Sequence, residues 1–342
     1  MKSVLLLITV VALGIWSCRS VETSSLQTPP SSQTCGLQEA EEACPSSGCV
    51  INVPIQSCRA HATFNIDRPT MLQGVGRGSQ ITWDAGISAI QCLNNVAQNS
   101  AILNLNIASA SSSPGSDDGI WNQCAYMRIE DNLITGFGRY GINTDTTGPG
   151  ANADGSRYIG NLVERTQSHG FYFTGHDSNG ITTMNNNSVY AGGFGYYEAG
   201  VAHNVHVNDE TAFSGWNFAG GQNCSSGPLD STHGAFYENG STNQWINPYA
   251  EGGCNSVAYF DTGAVQTTWL GGSYGQVAHF YGPRVDNGGS LITWQDGTGS
   301  LSFRTLRAGV GKTAFNVSAD GNVSISGNVS ISGQLCIRGT CQ

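Results

Sequence analysis

A short phrase returns through the second half of the chain: an aromatic residue or pair, one to three further residues, then glycine. It occurs as Phe171-Tyr172-Phe173-Thr174-Gly175, Tyr196-Tyr197-Glu198-Ala199-Gly200 and Trp216-Asn217-Phe218-Ala219-Gly220. It continues as Phe236-Tyr237-Glu238-Asn239-Gly240, Tyr259-Phe260-Asp261-Thr262-Gly263 and Phe280-Tyr281-Gly282. The closing glycines stand 25, 20, 20, 23 and 19 residues apart. A unit of this length, built of short strands and glycine turns, cannot bury its apolar side alone. It must stack on copies of itself, and such a stack is a solenoid with one coil per repeat.

Strand-length pieces precede these phrases. Val50-Ile51-Asn52-Val53, the runs 62–66 and 70–78, Ile81-Thr82-Trp83 and the run 101–107 alternate with period two between glycine or proline breaks. A short helix is expected around residues 36–44, where Glu39, Glu41 and Glu42 would cover the open end of the stack.

The chain has 342 residues, enough for one large solenoid. Its net charge is −10, and Lys2 and Lys312 are its only lysines. Nucleic acid binding draws on clustered cations that replace phosphate counterions, so that class is excluded.

Behind Lys2, the apolar run Val4 to Ile15 reads as an export signal over residues 1–18, too short to span a membrane. It closes on Ile15-Trp16-Ser17-Cys18, which resembles a bacterial lipobox and makes Cys18 the lipidation candidate. The expected location is then the cell surface or outer membrane; ordinary cleavage and secretion is the alternative. Residues 19–34, rich in Ser, Thr, Gln and Pro, read as a flexible linker.

Eleven cysteines less Cys18 leave ten, an even number suited to disulfides in an oxidising compartment. Cys336 with Cys341 and Cys224 with Cys254 are candidate pairs. Cys35, Cys44, Cys49 and Cys58 would staple an N-terminal cap, which leaves Cys92 and Cys124 over. With no CxxC pair and no histidines beside the cysteines, no zinc site is expected. No cofactor is expected either, calcium being the one ion an acidic face could take.

Asn132-Leu133-Ile134, Asn161-Leu162-Val163, Asn187-Ser188-Val189, Asn208 and Asn247-Pro248-Tyr249 recur between consecutive strands. Stacked asparagines at a turn can bond one another and tolerate left-handed backbone. This ladder, the coil length and the phrase Thr70–Ile81 resemble the right-handed parallel β-helix of the pectate lyase superfamily. The run Ile246–Gly253 is similar to a coil of phage tailspike-type β-helices. The resemblance covers residues 48–300 and implies an all-β solenoid. It does not fix an activity, because lyases, hydrolases and non-enzymatic adhesins share the fold. The β-helix with its cap is expected over residues 35–300 and a β tail over 301–342.

In that tail GNVSIS repeats every six residues. Alternating Val/Ile with Ser gives strands with one apolar face, which either fold back as a cap or, as the resemblance to the tails of fibre and tailspike-like proteins implies, wind with two other chains as a homotrimer.

From Thr166 to Pro283 there is no Lys or Arg, while eight carboxylates, six of the seven histidines and Trp216, Trp245 and Trp269 fall there. An acidic, aromatic face suits a neutral glycan: rings stack on sugars and carboxylates bond hydroxyls. The expected function is recognition of an extracellular or cell-surface polysaccharide, with Trp216, Trp245, Tyr249, Glu251, Trp269 and Tyr274 as binding candidates.

Aligned on their glycines, the repeats put Glu198, Glu238 and Asp261 in one column. Glu238 and Asp261 would be neighbours at the ~5 Å of retaining glycosidases, and Glu198 two rungs from Glu238 near ~9.6 Å. These three are the catalytic candidates of the alternative reading, a glycoside hydrolase; a solvated acidic face is the bland one. A non-enzymatic structural adhesin is the third possibility. Asn143-Thr144-Asp145 and Ser168-His169-Gly170 resemble parts of the polygalacturonase pattern, but its paired aspartate and Arg-Ile-Lys are missing, so that activity does not carry over. Within each aromatic pair one ring should point into the core and the other outward.

Overall fold

The computed structural model describes residues 23–25, 33–111, 113–217, 221–222, 234–252, 258–261, 264, 266–274, 280–281, 290–295, 301–307, 310–317, 323–325, 336–337 and 340–341. Residues 23–25, 217, 221–222, 274 and all those from 280 onward are described by backbone alone. The export signal, Cys18, most of the linker, Cys224 and Cys254 lie outside these residues.

The chain winds as a right-handed parallel β-helix with three parallel sheets. The first sheet has nine strands, from Phe64–Asn65 through Phe171–Thr174, Phe194–Ala202 and Gly234–Ser241 to Phe280–Tyr281. The second runs from Cys49–Asn52 to Thr268–Leu270 and the third from Gln56–Ala60 to Ser273–Tyr274.

Strand pairing fixes which residues share a column. In the first sheet Phe171, Tyr196, Phe236 and Ala258 stand side by side and point inward. The next residues, Tyr172, Tyr197, Tyr237 and Tyr259, form the outward column, so each aromatic pair is split between core and surface as expected. The inner rings pack in the face-offset and edge-to-face modes aromatic quadrupoles favour: Phe171 lies on Tyr196 at 4.5 Å and 5°, and Trp245 meets Phe236 edge-on at 5.0 Å.

The repeat is less even than the glycine spacing implies. Tyr196 pairs directly with Phe236, because Trp216–Asn217 leaves the stack and pairs antiparallel with Gly221–Gln222. The third aromatic–glycine phrase is therefore not a rung but the base of an inserted hairpin.

Corners are set by backbone rather than side-chain bulk. Between second and third sheets, Asn104, Asp131, Gly160, Asn185, Asn208, Asn247 and Gly271 repeat the left-handed conformation, from φ 51° to 69°. The residue after each of these faces inward, and there the buried ladder runs. Asn132 Nδ2 donates to Asn161 Oδ1 at 3.0 Å, Asn161 to Asn186 at 2.9 Å, and Asn186 to Asp209 at 3.1 Å. Asn208 and Asn247, expected in this ladder, belong to a second and exposed one through Asn185. Asn187 lies in the adjoining strand.

The N-terminal edge of the stack is covered. Helix Leu37–Glu42 uses Gln38 Oε1 and Glu41 Oε1 to accept the N–H groups of Asn65 and Asp67, bonds of 3.0 and 3.1 Å that would otherwise be an open sheet edge. Disulfides Cys35–Cys58 and Cys44–Cys49 staple this cap, and Cys92 bonds Cys124, which sequence reasoning had left over.

At the other end Ser290–Gln295 pairs with Thr268–Leu270. Leu301–Arg307, Val310–Val317 and Val323–Ile325 then continue it as an antiparallel meander. Cys336 stands opposite Cys341 in a short strand pair. Among the described residues no helix is long and apolar enough to cross a membrane.

Candidate functional site

The proposed carboxylate column turns inward. Glu198 pairs with Glu238 on the adjacent strand, not two rungs away, and both side chains are 0% exposed. Asp261 falls outside the column, since Glu238 pairs with Phe260. The two deviations have separate causes: the inserted hairpin removes a rung between Glu198 and Glu238, and a one-residue offset in the last phrase moves Asp261 off the column. A carboxylate sealed in the core cannot touch a polymer lying on the outside, so Glu198 and Glu238 do not fit the catalytic role expected of them.

What they form instead is a buried polar network. Asn243 Nδ2 donates to Glu198 Oε2 at 2.8 Å and to Glu238 Oε1 at 3.0 Å, bridging the two. Glu238 also accepts from Trp245 Nε1 and from the N–H of Gly240, each at 2.8 Å. His206 Nε2 lies 3.0 Å from Glu198 Oε1, at ion-pair distance but without the alignment of a hydrogen bond. The His206 ring lies flat on Trp245 at 3.7 Å, and Thr183 joins it to Asp209. Burial pulls the His206 pKa down, but Glu198 and Asp209 outweigh it and raise the value to about 9. Burial, then the charge of Glu198, pushes Glu238 up to about 7.

Two of the binding candidates are core residues. Trp245 and Trp269 are 0% exposed and pack on each other and on Phe236. They lie at the middle positions of strands Gln244–Ile246 and Thr268–Leu270, and in these three-residue strands the middle side chain faces the core. Tyr274 pairs by its backbone with Ala250.

The remaining three come together at the surface. Tyr249 and Glu251 alternate outward from the third sheet, and Tyr249 donates its hydroxyl to Glu251 Oε2 at 3.2 Å. Glu210 pairs with Tyr249, and Ala212 with Glu251, so the two acids share one outer patch. Burial, then the Glu251 charge, raises the Glu210 pKa. Beside this patch the chain turns into the first sheet through Phe213, whose N–H donates to the Glu251 carbonyl at 2.8 Å. Phe213 stacks on Tyr190 at 5.2 Å, and Trp216 meets Tyr190 edge-on at 4.8 Å. Tyr190, Phe213 and Trp216 are half-buried.

Sequence reasoning missed Tyr190, Phe213 and Glu210 as site residues. Their signal was weak, because Tyr190 and Phe213 hold the left-handed corner (φ 58° and 54°), a place where asparagine or glycine is expected.

The first sheet carries a second aromatic feature outside. Tyr140, Tyr172, Tyr197, Tyr237 and Tyr259 stack in sequence with ring centroids 4.2, 5.1, 4.2 and 5.7 Å apart and planes within 14°. His169 stacks against Tyr197 at 4.6 Å, its Nδ1 accepting the Phe194 N–H. At one end Asp118, 0% exposed, takes the Arg139 guanidinium, with Nε 2.8 Å from Oδ1. Tyr237 donates to Asp261 at the other end. Among the described residues no cluster of His, Cys, Asp and Glu could hold a metal ion.

The fold is a right-handed parallel β-helix, and its outer surface offers two aromatic tracts edged by carboxylates. No family model matches the chain, and no curated protein does. Among solved structures, it is similar to the enzymatically active domain of tailspike protein 2 of bacteriophage CBA120. The TM-score is 0.56 at 12% identity, over 77% of this chain and 41% of that one. The full-length tailspike protein 2 from the phage of Escherichia coli O157:H7 gives a TM-score of 0.51 at 11% identity, over 77% and 37%. The chain spans about two-fifths of the length of these structures. At such identity the likeness is one of fold.

Proposed function

We propose that the protein recognises an extracellular or cell-surface polysaccharide through its outer acidic–aromatic surface. The observation that carries this reading is the corner where Tyr190, Phe213 and Trp216 gather beside Tyr249, Glu251 and Glu210. Aromatic carbon against a sugar ring supplies apolar contact, and carboxylates beside it accept hydroxyl hydrogen bonds, which is how a hydrophilic polymer is held without opposite charge. The tailspike structures share the fold and lend the reading support by analogy only.

The test is a glycan array of bacterial surface and extracellular polysaccharides probed with the full chain and with Trp216→Ala and Glu251→Gln. Selective capture by the wild type that both variants lose supports the reading. No capture by the wild type overturns it.

A hydrolytic reading has one observation in its favour. Glu210, held toward its protonated form, and Glu251 face outward on adjacent rungs, as a general acid and its partner carboxylate must. Release of reducing ends by the wild type and its loss in Glu210→Gln, with binding retained, would establish it.

A further inference from the structure

We infer that the tyrosine ladder of the first sheet is a binding strip for a neutral, extended glycan chain lying along the solenoid axis, one sugar residue to each rung. This rests on the polysaccharide reading above and adds a second surface and a ligand class to it.

The first argument is spacing. Four phenols on consecutive strands, Tyr172, Tyr197, Tyr237 and Tyr259, follow one another at 5.1, 4.2 and 5.7 Å, the rhythm of strands stacked at ~4.8 Å. Tyr140, just before strand Ile142–Asp145, adds a fifth ring 4.2 Å from Tyr172. A sugar residue in a ribbon-like, equatorially linked chain is about as long as one rung. Such a chain keeps step with the ladder over its whole length, whereas a coiling chain falls out of register after a rung or two.

Chemistry of the rings comes next. Each ring covers the face of its neighbour, so what the ladder turns outward is ring edges and hydroxyls. Face-on sugar stacking is closed to it, and hydrogen bonding through phenols is what remains. Tyr172, Tyr197 and Tyr259 are half-buried, with rings fixed by their neighbours, while Tyr237 is 5% exposed and donates a hydrogen bond to Asp261. Rings held in this way lose little freedom when a ligand arrives.

Charge selects the ligand class. Asp145, two residues beyond Asn143 on its strand, and Asp261 border the ladder as hydrogen-bond acceptors. Among the described residues the arginine beside it, Arg139, is clamped by Asp118 and lies against Tyr140 at 4.8 Å. A polyanion finds no arginine or lysine there, among the described residues, that is free of an acidic partner. A hydroxyl-rich neutral chain finds acceptors at both ends and phenols between.

The experiment is calorimetric titration of the full chain with β-1,4-linked gluco- and manno-oligosaccharides of two to six units, beside maltohexaose. Affinity for the β-1,4 series should rise with each added unit up to five, while maltohexaose gains nothing over maltose. Tyr172→Phe combined with Tyr197→Phe keeps both stacked rings and removes two hydroxyls. It should weaken the hexasaccharide about tenfold or more, as loss of two neutral hydrogen bonds implies. A hexamer binding no tighter than a dimer, or a double variant that binds it like the wild type, overturns the inference. If the array glycans still bind and Trp216→Ala still abolishes their capture, only the ladder inference falls. If the wild type captures no glycan at all, the functional reading falls with it.

Discussion

Glu198 and Glu238 lie side by side on neighbouring strands of the first sheet, both shut off from solvent, with the Asn243 amide donating to each. Two like charges on adjacent rungs of a dry interior are tolerated only because donors converge on them. His206, Asn204 and Asn243 reach Glu198; Trp245, Gly240 and Asn243 reach Glu238. This cluster replaces apolar packing in the middle of the solenoid, and it sits one residue behind Tyr197 and Tyr237 of the outer ladder.

The cluster makes stability fall with rising pH. His206 is raised from 6.5 to about 9 and Glu238 from 4.5 to about 7, so the folded chain holds both protons more tightly than the unfolded one. The Glu238 contribution is complete below about 4.5 and lost as pH passes 7; that of His206 is complete below about 6.5 and lost as pH passes 9. Unfolding free energies from denaturant melts followed by circular dichroism should decline from pH 5 to pH 9.5 by an amount of order a few kcal/mol. A flat or rising profile contradicts the arrangement.

Replacing Glu238 by Gln separates charge from hydrogen bonding. Both carboxylate oxygens accept N–H groups, so an amide nitrogen at either place would face a donor, and the variant should lose ~1–3 kcal/mol at pH 5. The repulsion with Glu198 is gone, however, so its stability should fall less between pH 5 and 9 than that of the wild type. Denaturant melts at the two pH values read both effects, and a parallel loss at each pH would show that repulsion contributes little.

How much of this was legible beforehand differs by level. The solenoid, the inward–outward split of each aromatic pair and the capping helix follow from period and composition, which any stacked coil must obey. The placement of Glu198, Glu238 and Asp261 failed because glycine spacing cannot tell a rung from an excursion. The two intervals of 20 residues around Trp216 are one long coil with a hairpin on it. Trp245 and Trp269 misled for a different reason: a single tryptophan in a three-residue strand shows no alternation to reveal its face. Trp216 and the pair Tyr249 and Glu251 lie near one another because the backbone bond from Phe213 to Glu251 joins the corner before the excursion to the strand after it.

A second set of glycines, not the ones in the aromatic phrase, governs coil closure. Gly119, Gly141 and Gly170 stand just before first-sheet strands, and Gly195 second in its own, where each passes inward residues of the third sheet. A Cβ on Gly170 would lie 2.0 Å from Ser188 Oγ and 2.7 Å from the Gly195 carbonyl; on Gly195, 2.2 Å from Thr211 Oγ1. Backbone on one side leaves nowhere to move, so Gly170→Ala should cost at least the ~1–3 kcal/mol of an overpacked core. Gly180→Ala has open space around its Cβ and carries only the cost of its left-handed backbone at φ 62°. Urea midpoints of the two variants should rank in that order; equal midpoints would mean the sheets are not in close contact there.

The two asparagine ladders offer a matched comparison of buried and exposed hydrogen bonds at the same corner. Asn161 Oδ1 accepts from both the N–H and the side chain of Asn132, and its Nδ2 donates to Ile129 O and Asn186 Oδ1, all in the interior. Asn161→Ala strips partners from several buried groups at once and should cost ~3 kcal/mol or more, since each orphaned group alone costs ~1–3 kcal/mol. Asn208, at φ 51°, makes its two side-chain bonds in the exposed ladder, where water can replace them. Asn208→Gly suits the left-handed backbone without strain and should shift stability by no more than about 0.5 kcal/mol. Chemical denaturation of the pair decides the matter: comparable losses would mean that the inner ladder is not sealed from water, and the closed-core account of the corner would fail with it.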